Sequence, residues 1–195
     1  MRHVPLSPKR LAIVGCGVQG RRHLEVALSE HPDIEEVVVF DRSQDAADVV
    51  TSMAGDRATR IASSPTDAVD GATIAITTIT VPLDPKLDCR NTDENALLLP
   101  VDYDDAMATV AFHEAVTYSV DDLGQYGSVA GRKYFFDFPE PVTHLAQVVA
   151  GEFEVPENGR RMFLNMGIAM NDIALSSLVL DRAMERGVGT TVEFP

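Results

Sequence analysis

Leu11-Ala12-Ile13-Val14-Gly15-Cys16-Gly17-Val18-Gln19-Gly20 is the stretch whose interpretation decides the fold. Four apolar residues run into a G-x-G-x-x-G turn, and Val18 to Leu28 beyond it reads as a helix. A second strand, Ile34 to Phe40, is rich in β-branched residues and ends at Asp41, 21 residues after Gly20. A glycine turn alone is a weak signal. A turn that follows a strand, opens a helix and is answered by an acid at the end of the next strand is the fingerprint of a dinucleotide-binding βαβ unit.

Each position has a physical reason. Gly15 permits the tight turn, Gly17 leaves the backbone bare where a pyrophosphate approaches, and Gly20 lets the helix pack closely on the strand. Val18 and Gln19 begin the helix, whose free N–H groups and dipole favour phosphate. A carboxylate at Asp41 accepts both hydroxyls of an adenosine ribose and repels a 2′-phosphate, which favours NAD over NADP. Arg42 keeps NADP as an alternative, because a guanidinium there pairs with a 2′-phosphate if Asp41 turns aside.

Outward from this unit, strand-like and helix-like segments alternate, as in a parallel sheet covered on both faces. A helix from Gln44 to Met53, a brief strand at Ile61, a helical turn from Pro65 to Val69 and a strand from Thr73 to Ile79 follow. Pro82 and Pro85 then break the chain. Ala96 to Leu99 forms a fifth strand, Asp104 to Phe112 a helix, and Ala115 to Val120 a sixth strand. From Asp122 to Gly159 the pattern loosens, with a helix expected only over Thr143 to Ala150. Arg160 to Asn165 returns as a strand. A last helix runs from Asp172 to Arg186, with Asn171 as N-cap and Gly187 at the left-handed position beyond it. The expected architecture is α/β: a doubly wound parallel sheet of the Rossmann type over 11–187, preceded by a lead-in (1–10), extended by the C-terminal helix and ending in a tail or strand (188–195).

The 195 residues carry a net charge of −14, which argues against nucleic acid, since phosphate-tracking surfaces need clustered Lys and Arg. The two cysteines, Cys16 and Cys89, have no companion at metal or disulfide spacing, so a reducing cytosol is expected and no metal. No segment has the roughly 18 apolar residues of a membrane span.

Thr77 and Thr78, with Thr80, end the fourth strand, where open parallel sheets bind ligands. They either line the dinucleotide crevice or serve as β-branched strand residues. Asp102 lies just past the fifth strand on the same edge and is the best acid–base candidate; the competing reading makes it one of a capping cluster with Asp104 and Asp105. No two histidines have helical metal-site spacing.

The run from Arg10 to Leu24 resembles the cofactor turn of the ornithine cyclodeaminase and mu-crystallin family, in which a Gln precedes the last small residue and a His-Leu pair follows. Gly167-Ile-Ala-Met-Asn-Asp172, continuing to Gly187-Val-Gly189, resembles that family's G-x-A-x-x-D closing motif, which brings Gly167 into the expected cofactor site. The resemblance implies an aspartate acting on the substrate amino group at Asp102, although Leu99-Pro100-Val101 replaces the usual glycine-rich approach. It implies NAD and a small amino-acid or imino-acid substrate, with conversion of ornithine to proline by hydride abstraction, imine cyclisation and ammonia loss. Family members also carry an N-terminal domain for substrate and dimerisation that has no counterpart here. The expectation is therefore a homo-oligomeric enzyme completed by a chain supplying that domain, or else a dinucleotide-binding module or regulatory subunit without catalysis.

Overall fold

The computed structural model describes residues 3–193. Eight parallel strands form one sheet in the order β3-β2-β1-β4-β5-β8-β6-β7. They are β1 (Arg10–Val14), β2 (Glu36–Phe40), β3 (Ala58–Ile61), β4 (Ile74–Thr77), β5 (Leu97–Pro100), β6 (Thr117–Val120), β7 (Thr143–His144) and β8 (Arg161–Leu164). The helices are α1 (Val18–Glu30), α2 (Gln44–Ser52), α3 (Pro65–Val69), α4 (Thr109–His113), α5 (Leu123–Val129), α6 (Leu145–Ala150) and α7 (Ala169–Glu185).

The central strands are apolar along most of their length, as in Leu11 to Val14, Ile74 to Ile76 and Leu97 to Leu99, because each face of the sheet is covered. Ala12, Val14, Val38, Ala75, Leu98 and Met162 point into one core. Leu11, Ile13, Val37, Ile74, Ile76 and Leu97, one residue out of phase, point into the other. The chain winds outward from β1 through β2 to β3, then returns to lay β4 on the other side of β1. That reversal leaves a crevice at the carboxyl ends of β1 and β4, where doubly wound sheets bind ligands.

Several elements differ from the sequence expectation. β8 is the last strand in the chain, yet it lies between β5 and β6, with Leu97 opposite Arg161 and Val120 opposite Leu164. Arg161 is fully buried there, and its Nη1 donates to the carbonyls of Pro5 (3.2 Å), Pro156 (3.2 Å) and Glu157 (2.7 Å). These bonds, with the buried side chain of Val4, hold the lead-in against the sheet. Thr143 and His144 open with a two-residue strand rather than a helix, because Ser119 and Val120 offer them a free edge. The helix expected from Asp104 to Phe112 begins only at Thr109, since Leu87 draws Met107 into a β-bridge and holds the preceding loop extended. α5 fills the weakly patterned region, capped by Asp122, whose carboxylate accepts from the Gln125 N–H at 2.7 Å.

The last helix starts at Ala169, three residues earlier than expected, and its N-cap is Ile168 rather than Asn171. Gly187 takes φ +61° after it, the left-handed conformation expected of that position. Val188 to Glu193 form neither helix nor strand, and the last two residues of the expected tail lie outside the described ones. Among the described residues no helix is long and apolar enough to cross a membrane.

Candidate dinucleotide site

The turn between β1 and α1 has a different geometry at each glycine. Gly15 sits at φ +100°, and a Cβ there would approach the Thr78 backbone to 2.8 Å. At Gly20 a Cβ would lie 2.0 Å from the Gly15 carbonyl oxygen, so only glycine lets α1 approach the turn this closely. At Gly17 a Cβ would meet nothing within 4 Å, and the backbone is in an ordinary extended conformation. Two of the glycines are required by the protein's own packing. The third keeps an open space bare.

Gly17 is also the N-cap of α1, and it caps without a side chain. No acidic residue stands in the first turn. The first N–H groups of Val18, Gln19 and Gly20 lack intrahelical partners by the geometry of any helix, and this end carries the positive pole of the dipole. Val18 is 74% exposed beside it. Arg21 donates from Nε to the Cys16 carbonyl at 3.2 Å, bracing the turn. Burial pushes the Cys16 thiol up to about 12, so it is no nucleophile at neutral pH.

Thr78 and Asp41 hold the turn from either side. Thr78 Oγ1 donates to the Gly15 carbonyl at 2.8 Å. Asp41 closes β2; its Oδ2 accepts from the Cys16 N–H at 2.7 Å and its Oδ1 from the Ser43 N–H at 2.8 Å. Each oxygen retains a further lone pair for a ligand hydroxyl. An open cleft is lined by Gly15, Gly17, Asp41, Arg42, Thr78 and Thr80 of the residues singled out from sequence, together with the rest of the segment that follows β4; Val18, Gln19, Gly20, Thr77 and Gly167, also singled out, are not among its lining. Ile79, Val81 and Leu83 of that segment were not singled out; an apolar run between a strand's carboxyl end and two prolines was the available signal.

Asp102 lies at the carboxyl edge below that segment and is only 6% exposed. Its Oδ1 accepts from Thr77 Oγ1 and its Oδ2 from the Ile79 N–H, both at 2.9 Å. Burial pushes its carboxyl up to about 6, against the opposing pull of those hydrogen bonds. Thr77 and Asp102 therefore form a buried layer under the cleft wall. Tyr103 beside them is held at φ +59°, a conformation uncommon for an aromatic residue.

Gly167 sits apart from this cleft, past the end of β8. Its N–H donates to Asp121 Oδ2 at 2.6 Å and its carbonyl accepts from Gln125 Nε2 at 2.9 Å. Asp121, missed in the sequence, is a half-buried carboxylate whose pKa burial raises. The signal was the same as for Asp41: an aspartate directly after a buried strand.

The strand order, the reversal at β1 and β4 and the glycine turn at that point define a Rossmann-type α/β chain with a C-terminal helix. The model of the ornithine cyclodeaminase/mu-crystallin family matches residues 4–187. The chain belongs to that family. It is 25% identical to the nodulation efficiency protein NfeD of Rhizobium meliloti, over 97% of this chain and 60% of that protein. It is 26% identical to a Delta(1)-pyrroline-2-carboxylate reductase of Bacillus cereus, over 95% of this chain and 61% of the relative. The Thermococcus litoralis Delta(1)-pyrroline-2-carboxylate reductase, solved in complex with NADH and L-proline, superposes with a TM-score of 0.81 at 20% identity, covering 98% of this chain and 63% of that one. The chain thus spans about 60% of the length of the curated relatives it matches.

Proposed function

We propose that this chain binds NAD(H) in the crevice at the carboxyl ends of β1 and β4 and takes part in hydride transfer at the carbon–nitrogen bond of a small amino or imino acid. The single observation that carries the reading is the contrast among the glycines: a side chain at Gly15 or Gly20 would strike the protein itself, whereas at Gly17 it would fill only the space in front of the α1 N-terminus. In this reading Gly15 to Gly20 cradle the pyrophosphate and Asp41 accepts the ribose hydroxyls. Arg42, lining the same cleft, marks where a 2′-phosphate would meet its cation. Bound NAD(H) supplies the hydride acceptor or donor.

Asp102 is assigned the proton that the substrate nitrogen gains or loses; a carboxyl raised to about 6 exchanges protons close to neutral pH. Gly167, past the end of β8 and outside that cleft, is assigned to a more distant part of the cofactor site. The dinucleotide unit runs over 11–187, and a further polypeptide unit, of the kind that makes up the remaining length of the relatives, grips the amino acid. Conversion of ornithine to proline is the specific form of this chemistry we assign, in a cytosolic setting.

The test is a titration of NADH fluorescence against wild type and Gly17→Val. Affinity for wild type with a loss of more than about tenfold in the variant supports the reading; equal binding by both contradicts it. Reduction of NAD is then followed with L-ornithine, L-proline and L-alanine. A second reading, a dinucleotide-holding module without chemistry, is favoured by one feature: both oxygens of Asp102 already accept hydrogen bonds from the protein. NADH binding without turnover of any of the three would select it.

A further inference from the structure

The loop that follows β5 carries the wall of the dinucleotide cleft at two points. Asp102 Oδ2 accepts from the Ile79 N–H at 2.9 Å, and the Asp105 carbonyl accepts from the Leu83 N–H at 3.0 Å. Ile79 and Leu83 both line the cleft. The Asp102 carbonyl accepts from the Asp105 N–H at 3.1 Å and closes the loop into a turn. Inside that turn stands Tyr103 at φ +59°. This backbone region is costly for a bulky side chain and persists only where the surroundings enforce it.

The enforcing residues come from beyond α5. The chain turns back there, with the Gly131 N–H donating to the Tyr134 carbonyl at 2.8 Å. Tyr134 and Phe135 close on the Tyr103 ring, the first tilted against it at 4.9 Å and the second stacked nearly parallel at 5.9 Å. Phe135 is buried, stacks on Tyr126 of α5 and is itself left-handed, at φ +57°. Its N–H donates to Asp104 Oδ2 at 3.4 Å. Two non-glycine residues in strained conformations therefore meet ring on ring, one of them adjacent to Asp102. Filling a core with apolar volume needs no left-handed backbone at either position. Neither Tyr134 nor Phe135 lines the cleft.

We propose that Tyr103, clamped by Tyr134 and Phe135, is a positioning residue that sets the loop on which Asp102 and the Ile79 to Leu83 wall of the dinucleotide cleft are hung. The proposal rests on the cofactor reading above and extends that site to side chains that never touch the dinucleotide. With the ring clamped, the Asp102 carboxyl stays beneath the wall and out of water, with Asp105 the charged group that bears on it. With the ring released, the loop relaxes toward ordinary conformations, water reaches Asp102, and the wall loses its anchor at Ile79.

The ¹³C shift of the Asp102 carboxyl, identified by its loss in Asp102→Asn, is followed across pH beside a titration of NADH fluorescence. In wild type the carboxyl is expected to titrate at about 6. Tyr103→Gly keeps a backbone that glycine adopts freely and removes the ring; Phe135→Leu removes the stacking partner. Both are expected to drop the midpoint toward the ordinary 3.8 as water reaches the carboxyl, and to weaken NADH by more than about fivefold. Tyr103→Phe keeps the ring and is expected to match wild type. Phe112→Leu truncates the same core at a ring that packs on Tyr118 and Phe138 rather than on Tyr103. It is expected to lower the melting temperature and leave the Asp102 midpoint where it was. An unmoved midpoint in folded Phe135→Leu overturns the proposal, as does an equal fall in Phe112→Leu or a fall that leaves NADH affinity untouched. If Tyr103→Gly does not fold, Phe135→Leu decides. A wild-type chain that binds no NADH removes the proposed function, and the carboxyl titration then still decides whether Tyr103 positions Asp102.

Discussion

At the scale of single residues, the glycine turn separates two kinds of necessity. Gly20→Ala places a methyl group where the Gly15 carbonyl already stands, 2.0 Å away, so the helix or the turn must move. A loss of about 3 kcal/mol is expected, the upper range for overpacking a tight contact. Gly17→Ala meets open space in an extended backbone and is expected to unfold within about 1 kcal/mol of wild type. Urea denaturation of the two variants checks the contrast, and equal stabilities would refute it. Asp102 gives a pH signature. Its folded pKa of about 6 stands above the usual 3.8, so the folded state holds this proton more tightly than the unfolded chain does. The associated stability is fully present below pH 3.8 and is lost as pH rises through 6, a change of about 3 kcal/mol. Asp102→Asn keeps the shape, with its oxygen facing the Ile79 N–H and its amide facing Thr77 Oγ1, and removes the titration. The difference in melting temperature between wild type and variant should therefore shift against wild type between pH 4 and 6; a flat difference would show that the carboxyl is not so perturbed. The positions of Gly15, Gly17, Gly20 and Asp41 were legible in the sequence because each obeys a local steric or spacing rule. The occupation of both Asp102 oxygens was not, since it depends on how β4 and β5 are laid side by side.

At the scale of elements, legibility followed local patterning. β1, β2, β4 and β5 announce themselves as buried apolar runs, and α1 and α2 as helices between them. The place of β8 between β5 and β6 has no local signal, because strand order is a matter of connections rather than of composition. α5 stayed hidden among glycines at 124, 127 and 131, and the side chains that secure this region are an irregular aromatic cluster in which Tyr126 stacks on Phe135 at 5.2 Å. α7 was legible as a helix, but its start was misplaced because Asn171 and Asp172 look like a cap in sequence and stand inside the helix in the structure. Arg161 supplies the prediction at this scale. Arg161→Met keeps much of the volume but removes the buried guanidinium that donates to the carbonyls of Pro5, Pro156 and Glu157. A loss of about 3 kcal/mol or more is expected, accompanied by faster amide exchange in the lead-in, which the arginine ties to β8. Unchanged exchange around Pro5 would mean that the lead-in is held by Val4 and Leu6 alone.

For the molecule as a whole, the two cores, the reversal between β1 and β4 and the bare helix terminus converge on one edge of the sheet. The family's model matches nearly the full chain, and the chain covers about 60% of its relatives. The residues proposed to hold the dinucleotide, the glycine turn and Asp41, all lie within this chain. The amide resonances of Gly17, Val18, Gln19 and Gly20 report on that cradle directly. Titrating NAD into ¹⁵N-labelled protein should produce its largest shifts at these four amides, with smaller ones at Asp41 and Arg42. Saturable binding that leaves those four amides unmoved, or no binding at all, would contradict the account.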